Sequence, residues 1–136
     1  MKHSQYLLDT NAVVELMRRP GGKVARHLVE AGGVGYCAIS DLTLYELYSG
    51  AYASKNVENN LAAVQRLTQW LAVIPSADGF KEAARQKVEL RKQGQMIEDI
   101  DILIGSTAPV SGRILVTGNV KYFSRLHGLQ LENWQQ

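Results

Sequence analysis

The sequence predicts an α/β fold: one domain with a central parallel sheet of about four to five strands between helices, an α/β/α sandwich. Two observations lead to this. Short apolar strand-like runs alternate with longer stretches at helical spacing, and a helical connection between successive strands is what a parallel sheet requires. The chain of 136 residues is 46% hydrophobic, with no low-complexity segment, repeat or linker, so residues 1–136 can bury one core as one domain.

The elements follow in order. "YLL" (6–8) is a short strand, and "AVVELM" (12–17) follows at helical spacing. "GYCAIS" (35–40) is a second strand set off by Gly32, Gly33 and Gly35, and "DLTLYELYSGAY" is helical to about Gly50. From Val57 to Leu71, the residues Val57, Leu61, Val64, Leu67, Trp70 and Leu71 recur every three or four positions, an amphipathic helix. "LAVIP" is a strand stopped by Pro75. A helix then runs from about Gly79 to Lys92, with Ser76 or Asp78 as cap and Gly94 as stop. "DIDILIGSTAPV" is a helix that Pro109 should kink or shorten, because proline deletes the bond to the Gly105 carbonyl. "RILVTGN" is a strand, and "LQLENW" supplies a last, edge strand.

Composition removes several classes. No apolar run approaches the ~20 residues that span a bilayer. The start, with Lys2, His3 and then only a three-residue apolar run, does not resemble a signal peptide. Cys37 cannot form an internal disulfide alone, and its apolar setting suits a buried small hydrophobe in a reducing compartment, so a cytoplasmic location is expected. A net charge of +2 permits nucleic-acid binding without arguing for it.

The chemistry-bearing residues are acids. Asp9 closes the first strand, where open parallel sheets place their ligands. Glu46, Asp99 and Asp101 fall near helix starts. Each has a structural reading: Asp9 as a helix cap, Glu46 as partner of Thr43 in a capping box, and Asp99 and Asp101 as acids favoured by the helix dipole. Taken together they point to one crevice. Clustered carboxylates repel and are costly to desolvate, so they need a cation, and oxygen ligands select Mg2+ or Mn2+.

Four stretches, "YLLDTN", "ISDLTLYELYSGA", "IEDIDILIGSTA" and "ILVTGNVKYFSRLHGLQLENW", together resemble the PIN-domain ribonucleases, and among them the VapC-type toxins of bacterial toxin–antitoxin pairs. The resemblance runs over essentially the whole chain. It implies a PIN-like domain and a Mg2+-dependent endoribonuclease in which Asp9, Glu46 and Asp101 hold the metal (Mn2+ could substitute) for hydrolysis of RNA phosphodiesters. Thr117 would hold a carboxylate or a water, and Asp99 would tune the site. Asn119 stands where many relatives carry an Asp; it brings hydrogen bonds without charge and leaves the number of metal ions open. Products would carry 5′-phosphate and 3′-hydroxyl ends, and substrates would be structured RNAs, transfer RNA among them.

Arg85, Arg91 and Lys92, with Lys87, precede the third acid and are candidate RNA contacts; Arg18 and Arg19 follow the first. The alternative is a solvated face balanced by Glu82 and Glu89. Tyr45, Tyr48 and Tyr52 have the helical spacing of core or dimer packing, with base stacking as the other reading. The resemblance implies a homodimer held inactive by a VapB-type antitoxin; the stripe along 57–71 is either a contact for it or part of the core. Two other enzyme readings fit poorly: a phospho-aspartyl phosphatase wants an acid where Asn11 stands, and a receiver domain wants an acid paired with Asp9. The non-enzyme alternative is a PIN-fold RNA-binding or regulatory module with a decayed site, for which Asn119 is the support.

Overall fold

The computed structural model describes residues 4–136. Lys2 and His3, used above against a signal peptide, lie outside the described residues. The chain runs β1 (Tyr6–Leu8), α1 (Thr10–Arg18), α2 (Lys23–Glu30), β2 (Cys37–Ser40), α3 (Asp41–Ala53), α4 (Val57–Leu67), β3 (Ala72–Ile74), α5 (Phe80–Lys92), α6 (Asp99–Val110), β4 (Ile114–Val116), α7 (Val120–Phe123) and β5 (Leu131–Glu132). The five strands form one sheet in the order β3-β2-β1-β4-β5, and every neighbouring pair is parallel.

Strand periodicity builds two cores. Leu7, Ala38 and Leu115 point to one face and pack with Ala83, Leu90, Ile102, Ile104 and Ala108 of α5 and α6. Leu8, Ile39 and Val116 point to the other and pack with Ala12, Val13, Val24, Leu28, Leu47 and Val64 from α1 to α4. A strand buried on both faces is apolar throughout, which is why β1, β2 and β4 read as continuous apolar runs. Trp134, past β5, is 2% exposed and lies against Tyr6 and His27, so the C-terminal "ENW" is part of the first core.

The sheet grows from β1 to β2 and β3 on one side, and through β4 to β5 on the other. The crevice between β1 and β4 is therefore the point where strand order reverses. Asp9 leaves β1 there, its N–H still bonded to Val116 O at 2.9 Å, and Thr117 leaves β4 beside it.

Several boundaries differ from expectation. The second strand is Cys37–Ser40, because Val34–Tyr36 forms a 3-10 turn. α3 continues to Ala53, and α1 begins at Thr10 because Asp9 caps it. α4 stops at Leu67, and Trp70 is 69% exposed rather than part of a buried stripe. α5 ends as read: Gly94 takes φ +68°, and Gln95 N–H reaches Leu90 O at 2.9 Å in a Schellman-type stop. Pro109 lies in the last turn of α6, and the helix ends one residue past it, at Val110. Two helices had no counterpart in the sequence reading. For α2, Val24 and Leu28 at i, i+4 were the available signal; α7, with four residues, is too short to show a period. Of the three tyrosines on α3, Tyr45 and Tyr52 are exposed, and only Tyr48 packs against the core. Cys37 is buried, and burial pushes its thiol up to about 11, as an unreactive core cysteine requires.

Candidate functional site

Asp9 is held first by its own helix. As N-cap of α1 in extended backbone, it accepts the Ala12 N–H through Oδ1 at 2.8 Å. It is 4% exposed, and burial pushes its carboxyl up to about 6, with the Asp101 and Glu46 charges adding to the shift. The Thr117 hydroxyl and the Ala12 N–H pull the other way without cancelling it. The capping reading and the site reading of Asp9 are therefore compatible.

Glu46 lies in the second turn of α3. Ser40, whose Oγ accepts the Leu42 N–H at 3.1 Å, caps this helix, so Thr43 is already inside it and the expected Thr43–Glu46 capping box does not form. Glu46 Oε1 instead accepts the Thr10 hydroxyl at 2.5 Å. Thr10 Oγ1 also lies 3.2 Å from Thr43 Oγ1; a hydroxyl has one proton, so Thr43 can supply the one for that contact. Two threonines thereby tie the start of α1 to α3.

Asp101 occupies the first turn of α6, and its Oδ2 accepts the Tyr122 hydroxyl at 3.2 Å. Burial raises its pKa, Glu46 and Glu98 add to the rise, and the Tyr122 hydrogen bond opposes it. The fourth wall is neutral. Thr117 is fully buried and accepts the Asn119 N–H at 2.9 Å, fixing the turn between β4 and α7.

These residues line one pocket of about 220 Å³: Asp9, Thr10, Asn11, Glu46, Asp101, Ile104, Asn119, Tyr122 and Phe123. Among the described residues, no Lys, Arg or His lines it. Three carboxylates with hydroxyl and amide donors but no cationic side chain match a hard, oxygen-ligated divalent ion in donor chemistry. Among the described residues no three acid, imidazole or thiolate groups are drawn together as a ready-made ligand set. Each acid is instead tethered by neighbouring donors: the Ala12 N–H and the Thr117 hydroxyl on Asp9, Thr10 on Glu46 Oε1 and Tyr122 on Asp101 Oδ2. A carboxylate offers about four lone-pair sites, so each retains acceptor capacity.

The other sequence candidates fall elsewhere. Asp99 is bound by Lys87 Nζ at 2.9 Å and lines a separate apolar pocket with Phe80, Ala83 and Ile102. Arg85 is paired with Glu82, at 2.5 and 3.1 Å, while Arg91 and Lys92 are exposed at the end of α5; none of the three lines the acid pocket. Arg18 lines a trough of about 370 Å³ that shares Thr10 and Glu46 with the acid pocket. Thr10 and Tyr122 were not among the sequence candidates. Thr10 follows Asp9 directly and was legible as its neighbour; Tyr122 carried no signal.

Comparison with known proteins agrees with this architecture. The family model described as PIN domain matches residues 6–129. Ribonuclease VapC2 of Haemophilus influenzae is 37% identical over 134 residues, covering 96% of this chain and 98% of that protein. The tRNA(fMet)-specific endonuclease VapC of Shigella flexneri is 30% identical over 132 residues, covering 96% and 98%. Among solved structures, VapBC2 from Rickettsia felis bound to a DNA fragment from its promoter superposes with a TM-score of 0.85 at 31% identity, covering 95% of this chain and 98% of that one. DNA-bound VapBC from Salmonella typhimurium gives 0.88 at 26%, covering 96% and 98%.

Proposed function

Because the chain belongs to the PIN domain family, and within it to the VapC-type ribonucleases, we propose that it is the endoribonuclease toxin of a toxin–antitoxin pair, working from the Asp9–Glu46–Asp101 pocket. PIN-domain nucleases generally use divalent metal ions. Here Asp9, Glu46 and Asp101 would hold Mg2+, with Mn2+ able to substitute. When bound, such an ion acts as a Lewis acid toward phosphate and lowers the pKa of water. The observation that carries this reading is the pocket itself: three carboxylates from three elements line one pocket that no basic side chain among the described residues enters.

The chain's own residues prepare the site. Ala12 N–H and Thr117 fix Asp9, and Thr10 orients Glu46 from one residue beyond Asp9, so the first two acids move as a unit. Asn119 adds a neutral hydrogen-bonding group facing the substrate side. Arg18, in the adjoining trough, is placed to meet a backbone phosphate of an RNA strand leaving the acids.

The substrate class is structured RNA, with transfer RNA the first choice given the Shigella flexneri relative's name. The partner is a VapB-type antitoxin, the assembly the neighbouring structures contain. Its segment would dock in the apolar groove between α1, α2 and α4, about 480 Å³ in volume, which includes Leu16, Val29, Leu67 and exposed Trp70. Residues 1–136 act as one domain, and the working form is a cytoplasmic homodimer; among the described residues, no helix is long and apolar enough to cross a membrane.

The test is incubation of antitoxin-free protein with total transfer RNA in Mg2+ or EDTA, with 5′-end mapping of fragments. Discrete cuts that need Mg2+ and vanish in Asp9→Asn support the whole reading. Cuts only in other RNAs would remove the transfer-RNA assignment alone. Intact RNA of every class would overturn the enzyme.

A further inference from the structure

The segment after β4 does more than close the pocket. Tyr122, on α7, lies at the meeting of three contacts. Its hydroxyl donates to Asp101 Oδ2 at 3.2 Å and accepts the Glu98 N–H at 2.9 Å. Its ring lies under the Arg125 guanidinium, 5.5 Å from the centroid, and Arg125 Nη1 donates to Met96 O at 3.2 Å. Residues 96–98, the loop that leads into α6, are therefore held by two hydrogen bonds, one from Tyr122 on α7 and one from Arg125 just past it, and the phenol that holds the loop also holds the acid three residues on.

We propose that Tyr122 is a positioning residue for Asp101: its phenol sets the approach of α6 and the orientation of the Asp101 carboxylate toward the pocket. This inference rests on the metal-binding reading above. The assignment follows from the geometry of the hydroxyl. One proton goes to one carboxylate oxygen while the lone pair is occupied by a backbone N–H, so the phenol cannot turn away without giving up both bonds. Asp101 has Oδ1 left for another partner. An outer hydrogen bond of this kind, fixing a ligating carboxylate, typically changes metal affinity by 10–100-fold. The wall opposite Asp9 and Glu46 thus contributes orientation without charge.

Tyr122→Phe isolates the hydroxyl. The ring keeps its contacts with Phe123 and Arg125, and Glu98 is exposed, so its freed N–H finds water and the fold should hold. Two measurements separate the claims. In metal-free protein, amide hydrogen exchange at Glu98 should quicken in the variant. In Mn2+ titration by calorimetry, the variant should bind about 10-fold more weakly than wild type, while its melting temperature in metal-free buffer falls by no more than a few degrees, the scale of one or two lost hydrogen bonds. Faster exchange with unchanged Mn2+ affinity would overturn the positioning role and leave a structural tie. Unchanged exchange would overturn the contact itself. Wild type that fails to bind Mn2+ would overturn the metal-binding reading and the positioning role with it, whatever the exchange result.

Discussion

Two aspartates two residues apart on one helix, Asp99 and Asp101, have opposite surroundings. Asp99 is exposed and neutralised by Lys87 at 2.9 Å. Asp101 turns into a pocket with Asp9 and Glu46, where its bonded partner is the neutral phenol of Tyr122, and burial raises its pKa. A carboxylate matched by an ammonium has its charge met. Carboxylates gathered without one carry an electrostatic debt that an external cation can relieve. Position on the helix decides which is which, since residues two apart lie on different faces.

The largest effect should separate these two aspartates. Asp101→Asn should lower RNA cleavage on the order of 10³-fold, the scale for removing a group that stabilises developing charge. Asp99→Asn should change it less than about twofold, because Asp99 is exposed and its partner Lys87 lies outside the acid pocket. Steady-state cleavage assays on both variants would break the comparison if Asp99→Asn proved equally damaging.

Stability against pH sharpens the contrast. Asp9 has its carboxyl pushed from an ordinary 3.8 up to about 6. Between those values the native state binds more protons than the unfolded chain, so stability falls as pH rises through the window. At pH 6 the metal-free protein should be less stable than at pH 4 by about 2 kcal/mol from this group. Asp101 contributes in the same direction. Denaturant unfolding in EDTA should show the loss, and Asp9→Asn should remove most of it, since Asn also caps helices well.

Smaller effects concern the basic residues. Arg18→Ala should raise KM for RNA by a few fold, the order expected for one phosphate contact. Arg85→Ala should leave KM within about twofold, because its guanidinium is engaged by Glu82. Lys87→Ala should be smallest: exposed ion pairs contribute less than about 1 kcal/mol, and cleavage should be unaffected.

The sequence made part of this legible. An acid at the end of an apolar strand is visible because strand periodicity and the parallel-sheet crevice follow from local pattern, so Asp9 could be read before any coordinates. Glu46 and Asp101 could be named from the resemblance, but not their tethers. Thr43 and Glu46 fit a capping box by spacing, and only the strand ending at Ser40 gave the cap to that residue. Tyr122 was not legible, because a four-residue helix has no period and its contacts reach 21 and 24 residues back along the chain. That the basic run before α6 lies away from the acid pocket was not legible for a similar reason. Spacing along α5 says which residues share a face, not which face of the molecule meets the pocket, and Arg18, which lines the adjoining trough, comes from the end of α1.

The most direct measurement of the central claim, that the three carboxylates together require a cation, is thermal unfolding at pH 7.5 in saturating Mn2+ and in EDTA, for wild type and Asp9→Asn. An ion present at 100 times its Kd stabilises by about 2.7 kcal/mol, so wild type should melt several degrees higher in Mn2+. Asp9→Asn should show little of that rise. Equal melting temperatures for wild type in the two conditions, or a rise that persists undiminished in Asp9→Asn, would contradict the account.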